Sequence, residues 1–210
     1  MINRRKFLIA SVLLPTMGLV ACNKNTPKFP KLPPKSPISA LGDSLTFGYG
    51  VDKSQSYPTL LAQKTAWQVD SDGTRGDTTT DVLERLPSIL ANNPKLVLLG
   101  IGGNDVLRRT PPETTKANLL KIIGDLQGKS IDVVLIAQPH LSASALFGKA
   151  SDNPVYKEVA SSTGVPLLAN VWSEILSNDA LKSDQIHANA AGYTQFADKL
   201  YQFLQELGYA

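Results

Sequence analysis

From Ile38 to the C-terminus, short apolar runs alternate with longer amphipathic stretches, and this alternation restricts the fold more than any other feature of the chain. The runs Ile38–Leu41, Gln68–Asp70, Leu96–Ile101, Val133–Ala137 and Leu167–Leu168 have strand length. Between and after them lie the helix-like stretches Tyr57–Trp67, Thr79–Ala91, Glu113–Leu126, Asn153–Ser162 and Ala190–Leu207. Strands that are apolar along their length are buried on both faces, and the strand–helix–strand order brings successive strands parallel beneath covering helices. The expectation is an α/β domain, a three-layer α/β/α sandwich around a central, mostly parallel five-stranded sheet. Ligands gather at the carboxyl ends of such strands. The residues just after Leu41, Asp70, Ile101 and Ala137 are therefore the ones to examine.

Composition narrows the chemistry. The 210 residues are 42% hydrophobic, enough for one sizeable core. The mean hydropathy of −0.07 argues against a multi-span membrane protein. One Cys cannot form a disulfide within the chain, and two His with one Cys are too few for a His/Cys zinc site, so neither a metal nor a cofactor is expected. Pro111-Pro112-Glu113 suits a helix start, as do Thr78 and Thr79 followed by Asp81 and Glu84.

The first residues read differently. Arg4, Arg5 and Lys6 precede the apolar run Phe7–Leu14, which is too short to span a bilayer, so residues 1–21 are expected to be an export signal. Its end, Leu19-Val20-Ala21-Cys22, resembles a bacterial lipobox, which implies cleavage before Cys22 and diacylglycerol on its thiol. Arg4-Arg5-Lys6-Phe7-Leu8 also resembles a twin-arginine signal, with Asn3 where Ser or Thr is commoner; the export route stays open. Residues 22–37 carry four Lys among five Pro, which predicts an extended, solvated stalk. The expectation is an exported lipoprotein held in the cell envelope by its N-terminal lipid, with Asn23 favouring the outer membrane. Formal net charge is +3, and Arg4, Arg5 and Lys6 account for all of it. The domain at 38–210 has more acids than bases, so no nucleic-acid partner is expected.

Motifs stand at the predicted strand ends. Gly42-Asp43-Ser44-Leu45-Thr46 follows the first strand, where a small Gly lets the Ser hydroxyl project and a following helix N-terminus would favour negative charge. Gly100-Ile101-Gly102-Gly103-Asn104-Asp105 follows the third and leaves Asn104 able to offer an amide donor. It is not a dinucleotide fingerprint, because Asp105 replaces the third Gly. Near the C-terminus, Asp184 lies three residues before His187, a spacing at which a carboxylate can accept from Nδ1–H and fix the tautomer. Gly124–Ser130 is one residue short of a phosphate-binding loop and reads as a helix stop and turn, while Trp67 and Trp172 fall in helical stretches as core residues.

Together these blocks resemble the SGNH (GDSL) hydrolase superfamily, most closely its bacterial thioesterase, lysophospholipase and arylesterase branch, over Ile38–Tyr209. Gly42-Asp43-Ser44-Leu45, Gly102-Gly103-Asn104-Asp105 and Asp184-Gln185-Ile186-His187 match in order and spacing. The second block departs: Gly76-Asp77-Thr78 fits, but Ser71 stands where Asn is usual and Arg75 replaces a small residue. The resemblance implies a flavodoxin-like fold and a serine esterase acting on a small-molecule or lipid ester or thioester. It makes Ser44 the nucleophile, His187 the base and then acid, and Asp184 the orienting carboxylate. The N–H groups of Ser44 and Gly76 and the amide of Asn104 would form the oxyanion hole. Arg75 would influence which acyl or alcohol portion is accepted, and His140 and Leu141 fall where related thioesterases contact substrate. Two rival expectations remain: a deacetylase of envelope polysaccharide, from the same superfamily, and a non-catalytic surface binding module.

Overall fold

A computed structural model describes residues 28–140 and 150–210. Five strands form one sheet: β1 (Pro37–Gly42), β2 (Gln68–Gly73), β3 (Leu96–Gly100), β4 (Asp132–Ile136) and β5 (Leu167–Leu168). Their order is β2-β1-β3-β4-β5 and every pairing is parallel. Side chains alternate faces along a strand. Ile38, Ala40, Leu96, Leu98, Val134 and Ile136 thus pack on α2 (Tyr57–Thr65), α7 (Val171–Leu176) and α8 (Ala190–Leu207). Leu41, Val97, Leu99, Val133 and Leu135 pack on α3 (Thr79–Ala91), α5 (Pro112–Gln127) and α6 (Val155–Thr163). This is the expected α/β/α sandwich. Edge strand β2 carries polar Gln68, Asp70, Ser71 and Asp72, which suits its single partner and exposed edge.

Helix ends follow local chemistry. Thr78 caps α3 in a capping box completed by Asp81, and Pro112 begins α5. Asn189 caps α8, whose buried Tyr193, Phe196, Ala197, Leu200, Leu204 and Leu207 form one apolar stripe. The predicted helix through Trp67 stops instead at Thr65. Ala66 takes the left-handed conformation, φ 58°, and turns Trp67 into the core, where its indole N–H donates to the Leu32 carbonyl at 3.3 Å.

That contact belongs to a larger correction. Residues 28–36 are not a free stalk. Phe29 stacks on Tyr209 with ring centroids 4.5 Å apart, and Leu32 packs against the same core. The N–H groups of Lys28 and Phe29 both donate to Leu207 O at 3.0 Å, and that of Leu32 donates to Tyr209 O. Carbonyls at a helix C-terminus lack intrahelical partners. The segment supplies them at the end of α8, and its two apolar side chains find cover there. Residues 22–27 and the predicted signal lie outside the described residues.

Three glycines close the carboxyl ends of adjacent strands: Gly42 is in register with Gly73 of β2 and Gly100 of β3. A Cβ at Gly42 would collide with the Gly100 carbonyl and Thr46 Oγ1, and one at Gly73 with the backbone of Thr46 and Phe47. The row therefore lets the short helix α1 (Ser44–Phe47) sit down on the sheet end.

Candidate active site

Ser44 is the first residue of α1, immediately after β1. Asp43 caps this helix by accepting the Leu45 N–H at 3.0 Å. A helix of four residues has little dipole, so the sequence argument from a helix field weakens; what remains at its start is the Ser44 N–H, which has no acceptor among the described residues. Asp43 itself is buried at 2% exposure. Burial pushes its carboxyl up to about 7, with the Leu45 N–H opposing and the charges of Asp77 and Asp105 adding to the rise.

His187 arrives from the turn before α8. Its Nε2 lies 2.9 Å from Ser44 Oγ, and its Nδ1 lies 2.7 Å from Asp184 Oδ2. The other Asp184 oxygen accepts the N–H groups of Ile186 and His187, each at 2.8 Å. Burial works to raise the Asp184 carboxyl, but the Ile186 N–H and His187 outweigh it and hold it below the usual range. The three groups thus form one continuous chain from hydroxyl to carboxylate, the arrangement in which imidazole can take a proton from oxygen while a carboxylate fixes its tautomer. Tyr49 covers the imidazole, ring centroids 4.3 Å apart, and its own carbonyl accepts from the Tyr193 hydroxyl.

Asn104 lies in the first turn of α4 (Gly103–Leu107), just past β3. Its Nδ2 donates to the Asp77 carbonyl at 2.8 Å, which spends one amide hydrogen and leaves the second available. Gly76 occupies the β2–α3 turn with φ 83°, and its carbonyl accepts from Arg108 at 2.7 Å. The N–H groups of Ser44 and Gly76 have no acceptor among the described residues. Beneath this wall Arg85 of α3 pairs with Asp77 at 2.7 Å and donates to the carbonyls of Gly42 and Asp72.

A small pocket of about 30 Å³ joins these parts, bounded by Ser44, Asn104 and His187 with Leu107, Pro139, Leu176 and Ile186. Its wall also includes Gln138, whose buried Nε2 has no hydrogen-bond partner among the described residues. The structure therefore brings Ser44, Asn104, Asp184 and His187 together. His140 does not line this pocket; its N–H donates to Ser151 O at 2.6 Å, and its neighbours Gln138 and Pro139 take the place expected for it. Arg75 stands apart from the pocket, over the Phe47 ring. Leu141 and Cys22 lie outside the described residues. Sequence reasoning missed Tyr49, Arg85 and Gln138. Of these, Gln138 alone carried a signal, a polar residue immediately after the apolar run Val133–Ala137.

Comparisons with known proteins bear on the family and the fold. Residues 40–195 match the GDSL-like lipase/acylhydrolase family. Thioesterase 1/protease 1/lysophospholipase L1 of Escherichia coli (strain K12) is 32% identical over 176 residues, spanning 80% of this chain and 82% of that protein. An arylesterase of Vibrio mimicus is 36% identical over 105 residues, 47% of this chain and 52% of its own. The crystal structure of TesA superposes with a TM-score of 0.71 at 26% identity, covering 81% of this chain and 98% of that one.

Proposed function

The chain belongs to the GDSL-like lipase/acylhydrolase family, and on that premise we propose that it is a serine hydrolase of carboxylic esters, with thioesters and lysophospholipids in the same reach, working through Ser44, His187 and Asp184. The observation that carries the reading is the unbroken Ser44–His187–Asp184 hydrogen-bond chain at 2.9 and 2.7 Å.

His187 Nε2 removes the Ser44 proton as Oγ bonds to the substrate carbonyl carbon, and Asp184 stabilises the imidazolium that forms. The carbonyl oxygen becomes an oxyanion against the N–H groups of Ser44 and Gly76 and the second amide hydrogen of Asn104. Collapse of this intermediate breaks the bond to the leaving group, which takes the proton from His187 and departs as the alcohol or thiol. Water then gives a proton to His187 and its oxygen attacks the acyl-Ser44 carbonyl. The acid leaves, and Oγ recovers its proton.

The same reading places the enzyme in the cell envelope on a lipid at Cys22, supported by the basic, apolar and Leu-Val-Ala-Cys pattern of residues 4–22. Hydrolysis of 4-nitrophenyl butyrate is the test of activity: the wild type should turn over and Ser44→Ala should lose nearly all of it. Undiminished activity in Ser44→Ala would overturn the assignment. Radiolabelled palmitate incorporated by the wild type and not by Cys22→Ser supports the anchor; equal labelling of both refutes it.

A further inference from the structure

Three large apolar side chains stand exposed among the described residues, Phe47 (47%), Tyr49 (39%) and Leu107 (50%), and all border Ser44. Leu107 lines the pocket beside it, Tyr49 covers His187, and Phe47 ends the helix that Ser44 begins. On the Phe47 side, toward β2, a second and larger cleft of about 260 Å³ is lined by Phe47, Gly48, Val51, Lys53, Ser71 and Gly73. The two walls differ in chemistry. The pocket by Leu107 offers Pro139, Leu176 and Ile186, whereas this cleft offers Lys53 and Ser71, and Arg75 lies over the ring of its Phe47.

The guanidinium carbon of Arg75 sits 5.3 Å from the Phe47 ring centroid. A guanidinium lying over an aromatic face keeps its N–H edges outward, in the fork that matches two oxygens of one oxyanion. Neither Arg75 nor Lys53 pairs with a carboxylate among the described residues. Arg108, by contrast, is committed to the Gly76 carbonyl and lies 3.9 Å from Asp81. Two cations without a carboxylate partner among the described residues thus stand at a cleft of mixed polar and apolar lining, whose Phe47 ends the helix that Ser44 begins.

We propose that this cleft is the leaving-group subsite and that it selects esters whose alcohol carries a phosphate or carboxylate, bound by Arg75 with help from Lys53. The proposal rests on Ser44 being the nucleophile. An ester attacked there extends in two directions from its carbonyl carbon: the apolar pocket beside Leu107 suits the start of an acyl chain, and the cationic cleft suits a charged alcohol.

The test uses butyrate esters of three phenols: 4-hydroxybenzoate, 4-hydroxyphenyl phosphate and the uncharged methyl 4-hydroxybenzoate. The readout is the ratio of kcat/KM for each anionic ester to that for the methyl ester. Arg75→Gln should lower both ratios about three- to tenfold, Lys53→Gln should lower them less, and Arg75→Lys should keep part of the preference. Added salt should lower the wild-type ratios in the same direction. Unchanged ratios in Arg75→Gln, including an equal loss on all three esters, overturn the proposal. So does an Arg75-dependent preference that follows a carboxylate on the acyl side, read with 4-nitrophenyl hemisuccinate. Failure of Ser44 to react with a phosphonate ester would instead remove the reading beneath it, which keeps the two failures distinct.

Discussion

The side-chain amide of Asn104 donates to the carbonyl of Asp77 at 2.8 Å, which fastens the first turn of α4 to the β2–α3 turn. The bond fixes the direction in which the remaining amide hydrogen points. Asn104→Ala removes that donor and should lower kcat on a simple ester about a hundred- to a thousandfold, some 3–4 kcal/mol of transition-state stabilisation. Steady-state kinetics beside circular dichroism will show whether the loss is catalytic. An unimpaired kcat would remove Asn104 from the oxyanion hole.

Asp184→Asn tests the orienting role. An amide oxygen can still accept the N–H groups of Ile186 and His187, but an amide nitrogen facing His187 Nδ1 calls for the opposite tautomer. Turnover should fall by about ten thousandfold with little change in melting temperature. A loss below tenfold would mean that His187 needs no carboxylate partner.

Asp43 makes a claim about stability and pH. Its carboxyl is raised to about 7 by burial, so between about pH 4 and 7 the folded protein holds a proton that the unfolded chain has released. Stability from this group therefore declines as pH rises through that window and is level above it. Asp43→Asn keeps an acceptor for the Leu45 N–H and cannot ionise. Its advantage over the wild type should be near zero at pH 4 and grow to about 4 kcal/mol at pH 8. Urea unfolding at pH 4, 6 and 8 measures this directly; a difference that does not change with pH contradicts it.

Phe29→Ala tests the strap at the far end of the sheet. Losing the stack on Tyr209 should cost about 1–2 kcal/mol of stability, seen as a lower melting temperature. Esterase activity below that temperature should stay within about twofold, because this contact lies at the end of α8 remote from Ser44. A melting temperature equal to the wild type would show that residues 28–36 dissociate from the domain in solution.

The layers of this fold were legible because buried parallel strands must be apolar, and the runs at Leu96–Ile101 and Val133–Ala137 leave little else for them to be. Ser44, Asn104, Asp184 and His187 were legible for another reason: each sits at or near the boundary of an element, in a short block whose residue types have few joint uses. What escaped were contacts between segments far apart in the chain. Nothing near Arg85 announces that its guanidinium reaches Asp77, Gly42 and Asp72. Nothing near Tyr49 announces His187. The lysines and prolines of residues 28–36 leave that segment too few apolar residues for a core of its own. That they could lie against another one depended on the unpaired carbonyls at the end of α8, which no local pattern reveals.

The central claim is that Ser44 is a nucleophile activated by His187. Treating the full chain with a fluorescent alkyl phosphonate and locating the adduct by peptide mass spectrometry tests it most directly. We predict one adduct, on Ser44, absent in Ser44→Ala and formed far more slowly in His187→Ala. No adduct on the folded wild type, or an adduct on another residue that persists in Ser44→Ala, would contradict the account.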